Sequence, residues 1–483
     1  MFSPQSSSRE FRQSDLDNSQ PFIINDVSLN EDEIKSISNG DIVYEEEDYN
    51  TTSSRAFNNK LHISYCGIRG DSKLSAILNI CASCVGSGCL TFPYMLDNSS
   101  IIFSIILFSI VTLCIYFSSD LLRSFVVDTK YFSFSLMTET TLGKNWLRIY
   151  CFTSILFYFF ANISYLILLY SIFQNYWENK FWKKCLFILI TCPIEIILCI
   201  YSSKTAKIHL FSIFIMITFI ILCILVLSKV IYSCIKEDYI YTKFSTEKWI
   251  KTKFNWEFFF TLISDCTNYI FSYCNHLCYP TLIGNLRTVN DINSKLVHNI
   301  SFGIICGCYL FISFLGYLMD KSVPKILFHY VSDQNDQKEN GTNNPSEKKD
   351  FFNQVFNYVP NIILFLFIFA LIPVRYIIIR DGYTPLIGKK KLTYKTDVII
   401  TIICLIISNG MIFVEAHDLE TIFQIILSIF GGLFGVIIAF GLPVINYASV
   451  NGKKKPKSLS GYIIFGVFFI IGLISFSWFV SKL

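Results

Sequence analysis

Between Val85 and Leu96 the chain reads VGSGCLTFPYML, which sets Gly86, Ser87, Gly88 and then Pro93 inside an apolar run long enough to cross a bilayer. Hydrocarbon offers no water to freed peptide groups. A helix interrupted at that depth persists only where the gap is buried in protein or lines a cavity. A run built only for anchoring has no need of the interruption, so the gap points to a bundle with an interior.

Composition agrees. Hydrophobic residues make up 53% of the 483 and charged residues 16%, with a mean hydropathy of +0.49. Soluble domains average about 25% charged residues, so a membrane must accommodate the deficit. The net charge of +4 is too small to imply a nucleic-acid partner. The 17 cysteines lie mostly in apolar runs and read as small buried hydrophobes. Cys81, Cys84 and Cys89 share one span and lack a second ligand cluster, so no metal site is expected. The 47 Phe are read as a compositional bias, and no aromatic site is inferred from them. No cleavable signal peptide is visible in the polar start MFSPQSSSREF.

Residues 1–70 are polar and acid-rich, with Glu45, Glu46, Glu47 and Asp48 in one run. They cannot bury enough surface to fold alone and are expected to form a disordered acidic cytoplasmic tail. From residue 71 to 483 apolar runs recur. At about 20 residues per crossing, they give eleven spans, near 74–96, 100–119, 149–173, 185–201, 209–233, 256–284, 298–320, 358–380, 397–415, 421–446 and 461–481. The fold class expected is an all-α membrane protein.

With the tail inside, the cytoplasmic loops hold Arg123, Lys130, Lys144 and Arg148; Lys204 and Lys207; Arg287 and Lys295; Lys389 to Lys391; and Lys453 to Lys455 with Lys457. That distribution follows the positive-inside rule. The outer turn Glu415 to Glu420 has no Lys or Arg, and Asn340-Gly341-Thr342 offers a glycosylation acceptor on the outer side. The terminal Ser481-Lys482-Leu483 spells a peroxisomal address, but here it faces away from the cytosol and reads as chance.

The sixth run carries a second interruption. In WEFFFTLISDCTNYIFSYCNHLCYPTLIGNLR, Ser272, Tyr273, Cys274, Asn275 and His276 sit mid-run, with Pro280 and Gly284 following. Two interrupted spans in corresponding places of two five-span halves are the pattern of inverted-repeat transporters. The intramembrane acids Asp265 and Glu195 are functional candidates by default.

Five segments carry a family resemblance. VGSGCLTFPYML resembles the first span of the amino acid/auxin permease family, and FSYCNHLCYPTLIGNL the sixth span of its sodium-coupled neutral amino-acid branch. FLGYLMD, ALIPVRYIII and SIFGGLFGVIIAFGLPVINY resemble that branch's seventh, eighth and tenth spans, in family order. The resemblance implies a five-plus-five inverted-repeat fold of the APC/LeuT type with discontinuous first and sixth helices. It also implies alternating-access transport of amino acids, often driven by sodium or protons.

On that basis the substrate site is expected at Val85, Gly86, Ser87 and Gly88 and at Ser272, Tyr273, Cys274 and Asn275. Glycines without Cβ let a carboxylate approach the backbone, where the amides opening the next half-helix meet it. Carbonyls freed near Ser272 accept the ammonium group. Close helix packing through small residues is the alternative for the glycines. Asp265, His276 and Glu195 are the proton-coupling candidates. Asp265 is alternatively a hydrated acid at the outer mouth, and His276 a satisfied core histidine.

The sodium branch's first-span Asn is here Ala82, and NIILFLFIFALIPVRY has no Ser or Thr. Sodium coupling is therefore doubtful, and proton coupling or facilitated exchange is expected, with no cofactor. The substrate expected is a neutral or cationic amino acid. The membrane is the plasma membrane or a vacuolar or lysosomal one, with lipid as the other partner. The competing readings are an amino-acid sensor that kept the fold, a sodium symporter and a membrane enzyme. The last is disfavoured because HExxH and GxSxG motifs are missing from the spans.

Overall fold

The computed structural model describes residues 72–174, 180–204, 208–236, 255–319, 323, 351–386, 394–413, 419–452 and 455–482. The chain divides into Met1–Arg55 and Ala56–Leu483, and only the second unit contains described residues. The acidic tail, Asn340, Lys207, Lys389 to Lys391, Lys453, Lys454 and the turn Glu415 to Asp418 lie outside them.

The elements are helical throughout. In chain order they are α1 (Lys73–Cys84), a 3-10 segment (Ser87–Thr91), α2 (Phe92–Ser99), α3 (Ile101–Thr129), α4 (Phe134–Leu142) and α5 (Lys144–Gln174). Then come α6 (Lys180–Lys204), α7 (Ile208–Lys236), α8 (Trp256–Tyr273), α9 (Tyr279–Gly284) and α10 (Asp291–Met319). The rest are α11 (Phe351–Leu386), α12 (Tyr394–Gly410), α13 (Leu419–Phe430), α14 (Leu442–Asn451) and α15 (Pro456–Lys482). Each expected span falls on one helix or one interrupted helix. Among the described residues, seven helices are long and apolar enough to cross a membrane, or eight if α1 and the bent piece after it form one span.

Sequence accounts for where the helices stop. Ser72 caps α1 by accepting from the Ser75 amide, and Asn255 caps α8 by accepting from Phe258. Pro93 and Pro280 stand in the first turn of α2 and α9, where a missing N–H costs nothing. The tenth span stays helical but widens into two π segments, Gly431–Gly435 and Ile437–Gly441. A Cβ on Gly431 would collide with the Thr267 carbonyl, so the glycine lets this span press on the backbone of α8.

Several charges expected in loops lie on helices instead. Arg123, Lys144, Arg148, Lys204, Lys295 and Lys457 all belong to helical segments. Arg123 shows the reason. The second span runs ten residues past its expected end because the Arg123 guanidinium, only 3% exposed, is neutralised inside the bundle. Its Nε donates to Asp120 at 2.8 Å, and an Nη group donates to Asp291 at the start of α10 at 2.6 Å. A paired guanidinium can remain in a packed helix where a free one cannot.

Candidate functional site

Both expected interruptions are present. α1 ends at Cys84, Val85 and Gly86 are non-helical, and the chain resumes at Ser87 along an axis bent by 56°. α8 ends at Tyr273, Cys274 and Asn275 are irregular, and α9 starts only at Tyr279. Val85, Gly88, Ser272, Tyr273, Cys274 and Asn275 are buried, so neither gap faces lipid. Ser87 opens the 3-10 segment.

Tyr309 on α10 joins the two gaps. Its hydroxyl lies 2.9 Å from the Cys84 carbonyl and 2.9 Å from the Ser272 carbonyl, the last turns of α1 and α8. The same ring meets Phe92 and Tyr273 edge-on at centroid distances of 5.2 and 4.9 Å. Asn275 adds a longer link, its amide donating to Ser83 Oγ at 3.4 Å while its Oδ1 has no partner. The structure thus brings the two sets of site residues together.

Local bonding differs around each gap. In the first, the Gly86 carbonyl accepts from the Cys89 thiol and the Gly88 carbonyl from Thr91 Oγ1 at 2.8 Å. The opening amides of the Ser87 segment have no partner earlier in their own helix. Gly86 has an extended backbone, φ −149°, which any residue can adopt. Glycine leaves space there for two long side chains. A Cβ would lie 2.7 Å from the Tyr165 hydroxyl and 3.4 Å from an Arg375 nitrogen. At Gly88 a Cβ would overlap Ser272, so the gaps touch directly. Close helix packing and freed peptide groups are therefore combined here.

The coupling candidates separate. Asp265 on α8 is 5% exposed and accepts from the Ser99 hydroxyl at the end of α2, so it is a buried acid linking the two interrupted spans. His276 is fully buried, with Ser119 Oγ 3.0 Å from Nε2 and no partner for Nδ1. Glu195 does not join the gaps. It sits on α6 and accepts from Asn409 of α12 at 2.9 Å. Among the described residues, no group of three or more His, Cys, Asp or Glu could hold a metal ion.

Three residues of this junction escaped the sequence reading: Tyr165, Tyr309 and Arg375. The tyrosines are hidden among 27 in a chain rich in aromatics. Arg375 did leave a signal. It is a lone cation in the apolar run FALIPVRYIII, which the rule applied to Asp265 and Glu195 would have selected.

Comparison with known proteins completes the picture. The profile of the family described as "Transmembrane amino acid transporter protein" matches residues 69–334, more than half of the chain. A search of curated proteins gives no match. Among solved structures, MhsT in complex with L-phenylalanine is similar with a TM-score of 0.50 at 13% identity, over 84% of this chain and 98% of that one. The Eremococcus coleocola manganese transporter, in complex with an aromatic bis-isothiourea substituted compound, gives a TM-score of 0.53 at 12% identity, over 88% of each chain. At such identities the likeness concerns the fold, which is of the LeuT type.

Proposed function

Because the chain belongs to the transmembrane amino acid transporter family, we propose that its two interrupted helices form the site through which one zwitterionic amino acid crosses the membrane by alternating access. That the protein is a multi-pass membrane transporter of amino acids follows from family and fold together. The site assignment rests on one observation: the ends of both gaps converge on the Tyr309 hydroxyl.

The chemistry is complementary. Amides opening the Ser87 segment present N–H groups and the positive end of a helix dipole to a carboxylate. Carbonyls closing α8 at Ser272 and Tyr273 present acceptors to an ammonium group. Such paired half-helices let the backbone bind both charges of an amino acid near the bilayer midplane. Tyr273, Cys274 and Asn275 shape the space for the side chain. No bond is made or broken in this cycle, so the protein is read as a carrier and not an enzyme.

For coupling we favour protons or facilitated exchange over sodium, with Asp265 as the proton carrier. Its burial and its bond to Ser99 support that assignment, since the contact spans both interrupted helices. His276 is the second candidate, with one ring nitrogen unpartnered. Glu195, bonded to α12, is the weakest. The membrane proposed is the cell surface or a vacuolar or lysosomal one.

Purified protein in proteoliposomes tests the reading. Concentrative or exchange uptake of a radiolabelled amino acid is expected, and it should persist when choline replaces sodium at a fixed pH gradient. Collapse of uptake in choline would make the protein a sodium symporter. Binding without flux would make it a sensor.

A further inference from the structure

Arg375 stands on α11 two residues after Pro373, inside the apolar stretch of the eighth span. Its residue is 6% exposed. The guanidinium contacts the Tyr165 hydroxyl, and its Cζ lies 5.4 Å from the centre of the Tyr158 ring. Its Nε has no hydrogen-bond partner. Among the described residues no carboxylate pairs with it. The contrast with Arg123, which holds two aspartates, is direct.

A guanidinium carries five N–H donors in a planar fork and cannot shed its charge. Buried in a bilayer without an anion, it is an expensive group, and such residues mark ligand sites. One nitrogen lies 3.4 Å from where a Gly86 Cβ would be, and the Tyr165 oxygen 2.7 Å from the same point. Arg375 and Tyr165 therefore reach the first gap from one side, where the Ser87 amides also begin.

We propose that Arg375, with Tyr165, is the fixed counter-charge for the substrate's carboxylate, so that the ligand itself supplies the missing anion. The proposal rests on the amino-acid transport reading above and deepens it. Three kinds of donor then surround one carboxylate: the guanidinium fork, the tyrosine hydroxyl and the half-helix amides. Planar bidentate recognition of this kind favours Arg over Lys. The site requires a free carboxylate, so decarboxylated amines and carboxamides are rejected. It also narrows the expected substrate from neutral or cationic to neutral, because no described acid at the gap offsets a cationic side chain. A permanent cation beside Gly86 further disfavours an alkali ion at the same place.

The test begins with uptake of each of the twenty L-amino acids into proteoliposomes. No flux for any of them would overturn the transport reading, and this proposal with it. Given flux, the carboxamide of the best substrate is used as competitor. Wild-type protein should discriminate against it by about 30-fold or more, the range of charge-assisted hydrogen bonds. Arg375→Gln should lose most of that discrimination by binding the parent more weakly, and Arg375→Lys should recover part of it. A carboxamide that competes as well as its parent, or an Arg375→Gln protein with unchanged substrate affinity, overturns the proposal while leaving transport intact. If Arg375→Gln fails to fold, the wild-type competition and the Arg375→Lys protein decide between the same two outcomes.

Discussion

The two interruptions solve one problem differently. In the first span only Val85 and Gly86 leave the helix before it resumes, and one of the two has no side chain. In the sixth span the chain stays irregular from Cys274 to Cys278, and the gap is filled with buried side chains. The first gap offers bare peptide with room for neighbours to close in. The second offers carbonyls walled by Tyr273, Cys274, Asn275 and His276. On the proposed reading, the carboxylate belongs with the first gap, and the ammonium group and the distinguishing side chain with the second.

That contrast can be broken most sharply at Gly86. Gly86→Val should abolish transport while the protein still reaches the membrane, because a branched side chain would block the carboxylate's approach to the backbone. The added carbons would meet Tyr165 and Arg375. Retained flux would show that the first gap does not face the substrate. Tyr309→Phe removes the hydroxyl that ties both gaps. A roughly fivefold rise in KM is expected, matching about 1 kcal/mol for one hydrogen bond. An unchanged KM would mean the gaps are held by packing alone.

Asp265→Asn keeps size and a hydrogen-bonding group opposite Ser99 but cannot take up a proton. Substrate affinity should move by less than about threefold, within the effect of one neutral hydrogen bond. The dependence of uptake on an acidic medium should flatten. An intact pH response would pass the coupling role to His276. Glu195→Gln is the smallest case. Its contact with Asn409 on α12 survives the change, and uptake should stay within about twofold, as for uncoupled sites. A large loss would bring the fourth and ninth spans into the transport cycle.

Much of this was legible in the chain. Gly86, Gly88 and Pro93 announced the first gap because two glycines followed by a proline interrupt an otherwise apolar run. Ser272 to His276 announced the second by polarity. The span order followed from apolar run length. What could not be read lies in contacts between distant segments. Nothing near Arg123 says that Asp291 will come to join Asp120 in neutralising it, so the second helix ran on unseen. Tyr309 is one tyrosine among many until α10 is laid against both gaps. Arg375 is different: its sequence context was as unusual as that of Asp265. The same stretch lacks the hydroxyls that sodium coordination needs, which is its departure from the family pattern.

The Tyr309 contact has a consequence for the empty carrier. A phenol owns a single proton, yet two peptide oxygens compete for it. One of them is always left wanting, and no rotation of the ring can content both. On the proposed reading, an ammonium group brings three protons and can answer the oxygen that the phenol leaves. Tyrosine and passenger then share the two oxygens, and losing the hydroxyl loosens the passenger's seat.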